Sequence, residues 1–254
     1  IRPMCGAFLP DSGDILVVGQ PVYDNTAVKE RMFVIPDDSY YFSQASVRDM
    51  MKFYRGIYPQ FDSERFEKLR GVFELDEKRP IRKMSKGMQK QAAFWLAISL
   101  RPDVLILDEP VDGLDPVMRR QVWGLLMSDV AERGTTVLVA SHNLRELEDV
   151  CDHVGILSSG RVLLERSLSE LQDNIKKLQF VPNETGAMPE GLEIVHSHAA
   201  GRMHTLIVRG QSEQILSAAA AAAPVYYEEI PLTLEEIFIY ELGGADYAVK
   251  DIIL

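Results

Sequence analysis

Apolar and polar positions along this chain follow two alternating patterns, short unbroken apolar runs and stretches of helical period. Residues 15–19, Ile-Leu-Val-Val-Gly, form an apolar run between Ser-Gly-Asp and a glycine, which predicts a short buried strand with a turn at each end. Met32 to Ile35 predicts a second strand, stopped by Pro36. From Ser46 to Tyr58 the period lengthens, with Val47, Met50, Met51 and Tyr54 on one helical face. Asp62 is placed to cap another helix, whose apolar face carries Phe66, Leu69 and Phe73. A further helix runs from Ser85 to Leu100 and ends at Arg101-Pro102. Val104 to Leu107 is an unbroken β-type run, as expected of a central parallel strand covered on both faces.

The alternation continues with a helix over 116–133 closed by Gly134, a second buried strand over 135–140, and a helix over 144–151. Residues 154–157 and 162–164 flank Ser-Ser-Gly and predict a hairpin. Strand and helix in alternation from 103 to 152 imply an α/β fold with a parallel sheet. Beyond about residue 166 the texture changes. Strands at 178–181, 192–195 and 205–208 and helices at 212–223 and 233–242 predict a small α+β appendage. The alanines at 218–223 are strong helix formers and need no further meaning.

Composition narrows the function classes. The chain has 254 residues, 46% of them hydrophobic, enough for one large domain or two smaller ones. Its net charge of −11 repels phosphate backbones and argues against nucleic-acid binding. No apolar run approaches the ~18 residues a membrane span needs. The two cysteines, Cys5 and Cys151, have no metal-ligand spacing and suit a reducing compartment.

The chemistry concentrates at strand ends. Val104–Leu107 delivers Asp108 and Glu109 to the carboxyl edge of a parallel sheet, where α/β proteins bind their ligands. One carboxylate can hold Mg²⁺ while its neighbour polarises a water for attack on a phosphate. Gly113-Leu-Asp115-Pro116 is a turn that opens the next helix. Met84-Ser85-Lys86-Gly87-Met88-Gln89 starts the helix before the carboxylate strand, and a helix N-terminus with a serine and a glycine suits an anion. Ser141-His142 ends the 135–140 strand, so His142 is expected at the same edge as Asp108 and Glu109. Each feature also has a plainer reading as a cap, a turn or a solvated strand end.

Taken in order, Met84–Gln89, Leu105–Pro110, Gly113–Pro116 and Ser141-His142 resemble the signature sequence, Walker B, D-loop and switch histidine of the ATP-binding subunits of ABC transporters. The resemblance covers about residues 1–165, and Leu232 to Phe238 is similar to the C-terminal part of the drug- and antibiotic-exporter branch. It implies a P-loop NTPase-like α/β fold with a helical insert of about 39–100, whose own two helices lie within 39–82, and an accessory domain over 166–254. It further implies ATP and Mg²⁺ as ligands, Asp108 on the metal, Glu109 as catalytic carboxylate and His142 at the γ-phosphate. Ser85, Lys86, Gly87 and Met88 would cap ATP held by the opposite subunit, and Asp115 would couple the two sites. The implied partners are an integral-membrane permease and a second ATPase subunit, identical or paralogous, at the cytoplasmic face of the membrane. Tyr40, Tyr41 and Phe42 are candidate permease contacts, or simply local packing.

Three departures qualify the resemblance. Ser-Lys-Gly-Met stands where the family usually has Ser-Gly-Gly-Gln. Asp37 occupies the place of the Q-loop glutamine and is a second candidate for nucleotide or metal, with Gln44 a less well-aligned alternative. No Gly-x-x-x-x-Gly-Lys-Ser/Thr occurs, so the cradle for the β- and γ-phosphates is missing from these residues, which would not turn over ATP by themselves. Ile1 to Gly6 is similar to the end of the helix that follows that loop, so the expectation is a longer natural chain. A catalytically degenerate interaction module and a soluble non-transport ATPase stay open as alternatives. Intact mass with peptide mapping of the natural protein is expected to exceed 28.6 kDa and to reveal a Gly-Lys-Ser/Thr peptide; a match to that mass overturns the expectation.

Overall fold

The structure, a computed structural model, describes residues 1–242. Residues 243–254 of the expected accessory domain lie outside the described residues. Contacts divide the chain into one unit of Ile1–His142 and a second beginning at Asn143. The sequence places the change of texture later, at about 166.

The first unit opens with a small antiparallel ribbon, β1 (Leu16–Val17) and β2 (Gln20–Pro21). Val18 and Gly19 join them at φ 53° and 73°, the two positive values that a tight two-residue hairpin turn needs. The expected buried strand at 15–19 is therefore a surface ribbon. Ile15 and Val17 pack against buried Val22 and Val28, while Leu16 and Val18 point to solvent. An antiparallel pair can keep one face wet, which an unbroken apolar run conceals.

After the short helix α1 (Thr26–Glu30) comes β3 (Met32–Ile35), then three helices. α2 (Val47–Ile57) starts at a capping box in which Ser46 and Asp49 satisfy each other's backbone N–H. α3 (Ser63–Phe73) is capped by Asp62, which accepts from the Arg65 N–H at 2.8 Å. α4 (Lys86–Leu100) is capped by Ser85 and buried along nearly its whole length. Trp95 of α4 stacks on Phe66 of α3 at 4.7 Å between ring centres, and its indole N–H donates to the Phe66 carbonyl. Phe66, Leu69 and Phe73, the apolar face expected of α3, are all buried.

β4 (Val104–Asp108), α5 (Pro116–Arg133) and β5 (Thr136–Ala140) complete this unit. The sheet runs β3-β4-β5, all parallel, with Ile35 beside Leu107 and Asp108 beside Ala140. Its three strands thus release their C-terminal residues at one edge. β5 is not the buried strand expected: it pairs with β4 alone among the described residues, and Thr136 and Leu138 are exposed. α5 ends as expected, at Gly134 with φ 68°.

The second unit begins with α6 (Leu144–Leu147), a single turn where a helix over 144–151 is expected. None of its residues is fully buried, and a short helix with little buried surface does not readily propagate. β6 (His153–Ser158) and β7 (Arg161–Ser167) form the expected hairpin. α7 (Leu168–Asn174), β8 (Ile175–Val181), β9 (Glu193–Ala200), β10 (Met203–Arg209), α8 (Ser212–Ala221), β11 (Tyr226–Ile230) and α9 (Leu234–Leu242) follow. Four strands form an antiparallel sheet in the order β11-β8-β10-β9. One face packs Leu178, Phe180, Leu206 and Val208 on Ile215 and Ala219 of α8. The other packs Ile175 and Ile207 on Leu171, Leu232 and Ile237, with Val154 and Leu164 of the hairpin joining in. Among the described residues no helix is long and apolar enough to cross a membrane.

Replacing Trp95 with alanine is expected to lower stability by about 3–5 kcal/mol, read from denaturant unfolding of the purified protein. A loss below about 1 kcal/mol would show that α3 and α4 do not depend on this stack.

Candidate active site

β4 ends in Asp108, and Glu109 follows with φ 44°, a left-handed backbone that only a minority of non-glycine residues adopt. Its N–H donates to the Ala140 carbonyl at 2.9 Å, extending the pairing with β5 by one bond. Its carbonyl accepts from the Lys90 ammonium of α4. The side chain is held from the end of β5. Ser141 Oγ donates to Oε2 at 2.9 Å; the His142 backbone N–H donates to Oε1 at 3.1 Å; and His142 Nδ1 lies 2.8 Å from Oε1.

Partial burial pushes the Glu109 carboxyl upward, but the hydrogen bonds from His142 and Ser141 outweigh it, and the net shift is downward. Glu109 is therefore a carboxylate at neutral pH, able only to accept, which places the His142 ring proton on Nδ1. A carboxylate stabilised in this way is a weak base, so the geometry suits orientation of a water better than outright removal of its proton.

The other predicted residues occupy strand ends, helix caps and turns of the same unit. Asp108 is half-buried at the strand end. Asp37, just past β3, is exposed and pairs with Lys90 Nζ at 3.2 Å. Gln44, its alternative, is exposed. Asp115 caps α5, accepting from the N–H groups of Val117 and Met118 at 3.0 Å each. Ser85 caps α4 through the Met88 N–H at 3.3 Å, and Lys86 beside it is exposed. The first turn of α4 contains no acidic residue, which leaves its positive end uncompensated. Gly87 has a reason of its own. A β-carbon there would lie 2.5 Å from the Gly113 carbonyl oxygen, so glycine lets the start of α4 touch the turn before α5.

Among the described residues, Glu109, Asp112 and His142 bring ligand atoms within 4.8 Å of one another. Asp108 and Asp37, the two expected metal ligands, are not in that group. The carboxylate oxygens of Glu109 and Asp112 are the donor type that fits a hard cation such as Mg²⁺, and Asp108, at the end of β4, lies outside the group. Lys90 and Asp112 are the residues that sequence reasoning passed over. For Lys90 a signal existed, because it shares a helical face with Ala93, Phe94 and Ala97, all buried.

Comparison with known proteins follows the same line. The ABC transporter ATP-binding protein YtrB of Bacillus subtilis is 30% identical over 92% of this chain and 80% of its own length. The chain belongs to the family of ABC transporter ATP-binding proteins. Membership implies ATP binding and hydrolysis, and the ABC ATPase fold accounts for the parallel sheet. The bacitracin transport ATP-binding protein BcrA of Bacillus licheniformis is 29% identical over 71% of this chain and 60% of its own. A family model described as "AAA domain, putative AbiEii toxin, Type IV TA system" matches residues 24–148. Among solved structures, the ATP-binding subunit of an ABC transporter superposes with a TM-score of 0.62 at 23% identity, covering 67% of this chain and 73% of that one. CbiO1 of Clostridium perfringens, part of the transporter complex CbiONQ, gives a TM-score of 0.54 at 26% identity, covering 67% and 72%.

Within this ABC ATP-binding protein the constraint on Gly87 can be tested against a helical glycine that meets nothing. Gly87→Ala is expected to cost about 1–3 kcal/mol, because its new methyl meets backbone. Gly71→Ala, on an open face of α3, should stabilise by about 0.5–1 kcal/mol. Equal effects of the two in denaturant unfolding would remove the close approach of Gly87 and Gly113 as a constraint.

Proposed function

We propose that this chain is the ATP-hydrolysing subunit of an exporter, pairing around Mg-ATP with a second copy or a paralogue and driving an integral-membrane permease from the cytoplasmic side. One observation carries the reading. The Glu109 carboxylate is ionised and gripped by Ser141 and His142 at the edge where all three strands of the sheet end. The relatives supply the transport context, since their names include bacitracin transport and Nod factor export.

Asp108 would hold the Mg²⁺, with Asp37 after β3 and Asp112 beside Glu109 as further carboxylates at the ends of the strands. The ion, when bound, neutralises charge on the phosphates as the terminal one is transferred. Glu109 orients the attacking water and is itself oriented by Ser141. His142 keeps Nδ1 on Glu109 and turns its other ring nitrogen toward the terminal phosphate. Ser85, Lys86, Gly87 and Met88, at the uncompensated start of α4, receive the phosphates of the ATP bound to the opposite subunit, where Lys86 adds a cation. Asp115 fixes the start of α5 and, through the Gly87–Gly113 contact, the turn that faces the second site. Closure of the pair follows from tighter binding of ATP in the closed state, and hydrolysis removes that preference.

In the full-length protein, Glu109→Gln is expected to lower ATP turnover by about 10²-fold or more and to leave an ATP-bound dimer on size exclusion. If wild type and variant turn over ATP at the same slow rate, the chain is a non-catalytic interaction module.

A further inference from the structure

Lys90, beside the Glu109 peptide, has no part in the proposed mechanism. It sits one turn into α4, and its side chain is buried with only 9% exposed. Burying an ammonium is costly unless its protons are satisfied. Here the Nζ reaches two groups, the Asp37 carboxylate after β3 and the backbone carbonyl of Glu109 after β4. Asp37 is itself 59% exposed, so solvent screens that ion pair and it alone does not justify the burial.

The carbonyl contact does. Glu109 has one backbone donor and one backbone acceptor. Its N–H is taken by Ala140 of β5, and its side chain by Ser141 and His142 just beyond. Every one of these contacts comes from the β5 side. Lys90 supplies the contact from the opposite side, on the carbonyl that fixes the direction of the chain into Pro110. With φ at 44°, this peptide is held away from its ordinary conformations and needs a restraint at both ends.

We propose that Lys90 is a positioning residue for ATP hydrolysis: it ties the start of α4 and Asp37 to the Glu109 peptide and so sets the aim of the Glu109 carboxylate. The catalytic half of this inference rests on the reading of Glu109 as the water-orienting carboxylate. A shift of α4 or of the segment at Asp37 would then reach the carboxylate through a single ammonium group.

The test uses Lys90→Met and Lys90→Arg in the full-length protein. Lys90→Met is expected to lower kcat by roughly 10²-fold with KM for Mg-ATP little changed, since misaim costs rate and not binding. Lys90→Arg, which keeps a buried cation able to donate to both partners, should recover most of that loss. Hydrogen exchange supplies a readout that does not need turnover. The Glu109 amide should lose protection in Lys90→Met, while those of Leu105 to Leu107 keep theirs and report an intact sheet. An unchanged Glu109 amide, or a rise in KM with kcat preserved, overturns the proposal. If instead Glu109→Gln leaves turnover at the wild-type rate, it is the catalytic reading of Glu109 that fails, and the exchange data still decide whether Lys90 anchors the peptide.

Discussion

The parallel register of β3, β4 and β5 is the constraint on which the site depends. Side chains far apart in sequence, at 37, 108–109 and 141–142, become neighbours only because three strands point the same way and stop at the same level. A slip of one residue between β4 and β5 would turn every inward side chain outward. It would also remove the N–H of Glu109 from the Ala140 carbonyl. The alternating helices make this register attainable, since parallel neighbours need a long crossover and α5 supplies one of the right length.

Charge is distributed to suit that edge. The chain is acidic as a whole, and Asp37, Asp108, Glu109 and Asp112 gather at the strand ends. The positive end of α4 and the ammonium of Lys90 oppose them from the adjoining helix. Carboxylates close together normally raise one another's affinity for protons. Glu109 moves the other way because Ser141 and His142 bond its charged form. Glu109 is therefore held in its charged form, which can only accept hydrogen bonds.

Much of this was legible in the residues. Asp62 and Ser85 as helix caps, Gly134 as a helix stop and the apolar runs of β3 and β4 each rest on local rules that the packing did not override. The failures were tertiary in origin. Val18-Gly19 turned an apolar run into a surface ribbon, because a hairpin needs only one covered face. β5 proved half-exposed, because a run such as Thr-Val-Leu-Val-Ala does not say how many neighbours will pair with it. Helix 144–151 is a single turn, none of whose residues is fully buried. The β11 strand, Tyr-Tyr-Glu-Glu-Ile, was hidden by its two glutamates, although Glu229 and Ile230 stay only half-exposed beside β8. In the site, Asp108, Glu109 and His142 announced themselves through a strand-end pattern. The partner of Asp37 could come only from the fold, since Lys90 lies 53 residues away.

Glu109 shows why such a residue resists being read locally. Its left-handed backbone costs on the order of 1–2 kcal/mol relative to ordinary conformations. Pro110 narrows the choices further, because a proline restricts the residue before it. Local preference alone would therefore not put a glutamate there. The conformation survives because every polar group of the residue is answered: the N–H by β5, the carbonyl by α4, and the two carboxylate oxygens by Ser141 and His142. Several bonds of about 1 kcal/mol each suffice to offset the strain. The same bonds leave the carboxylate few directions in which to point, which is what the proposed role of orienting a water requires.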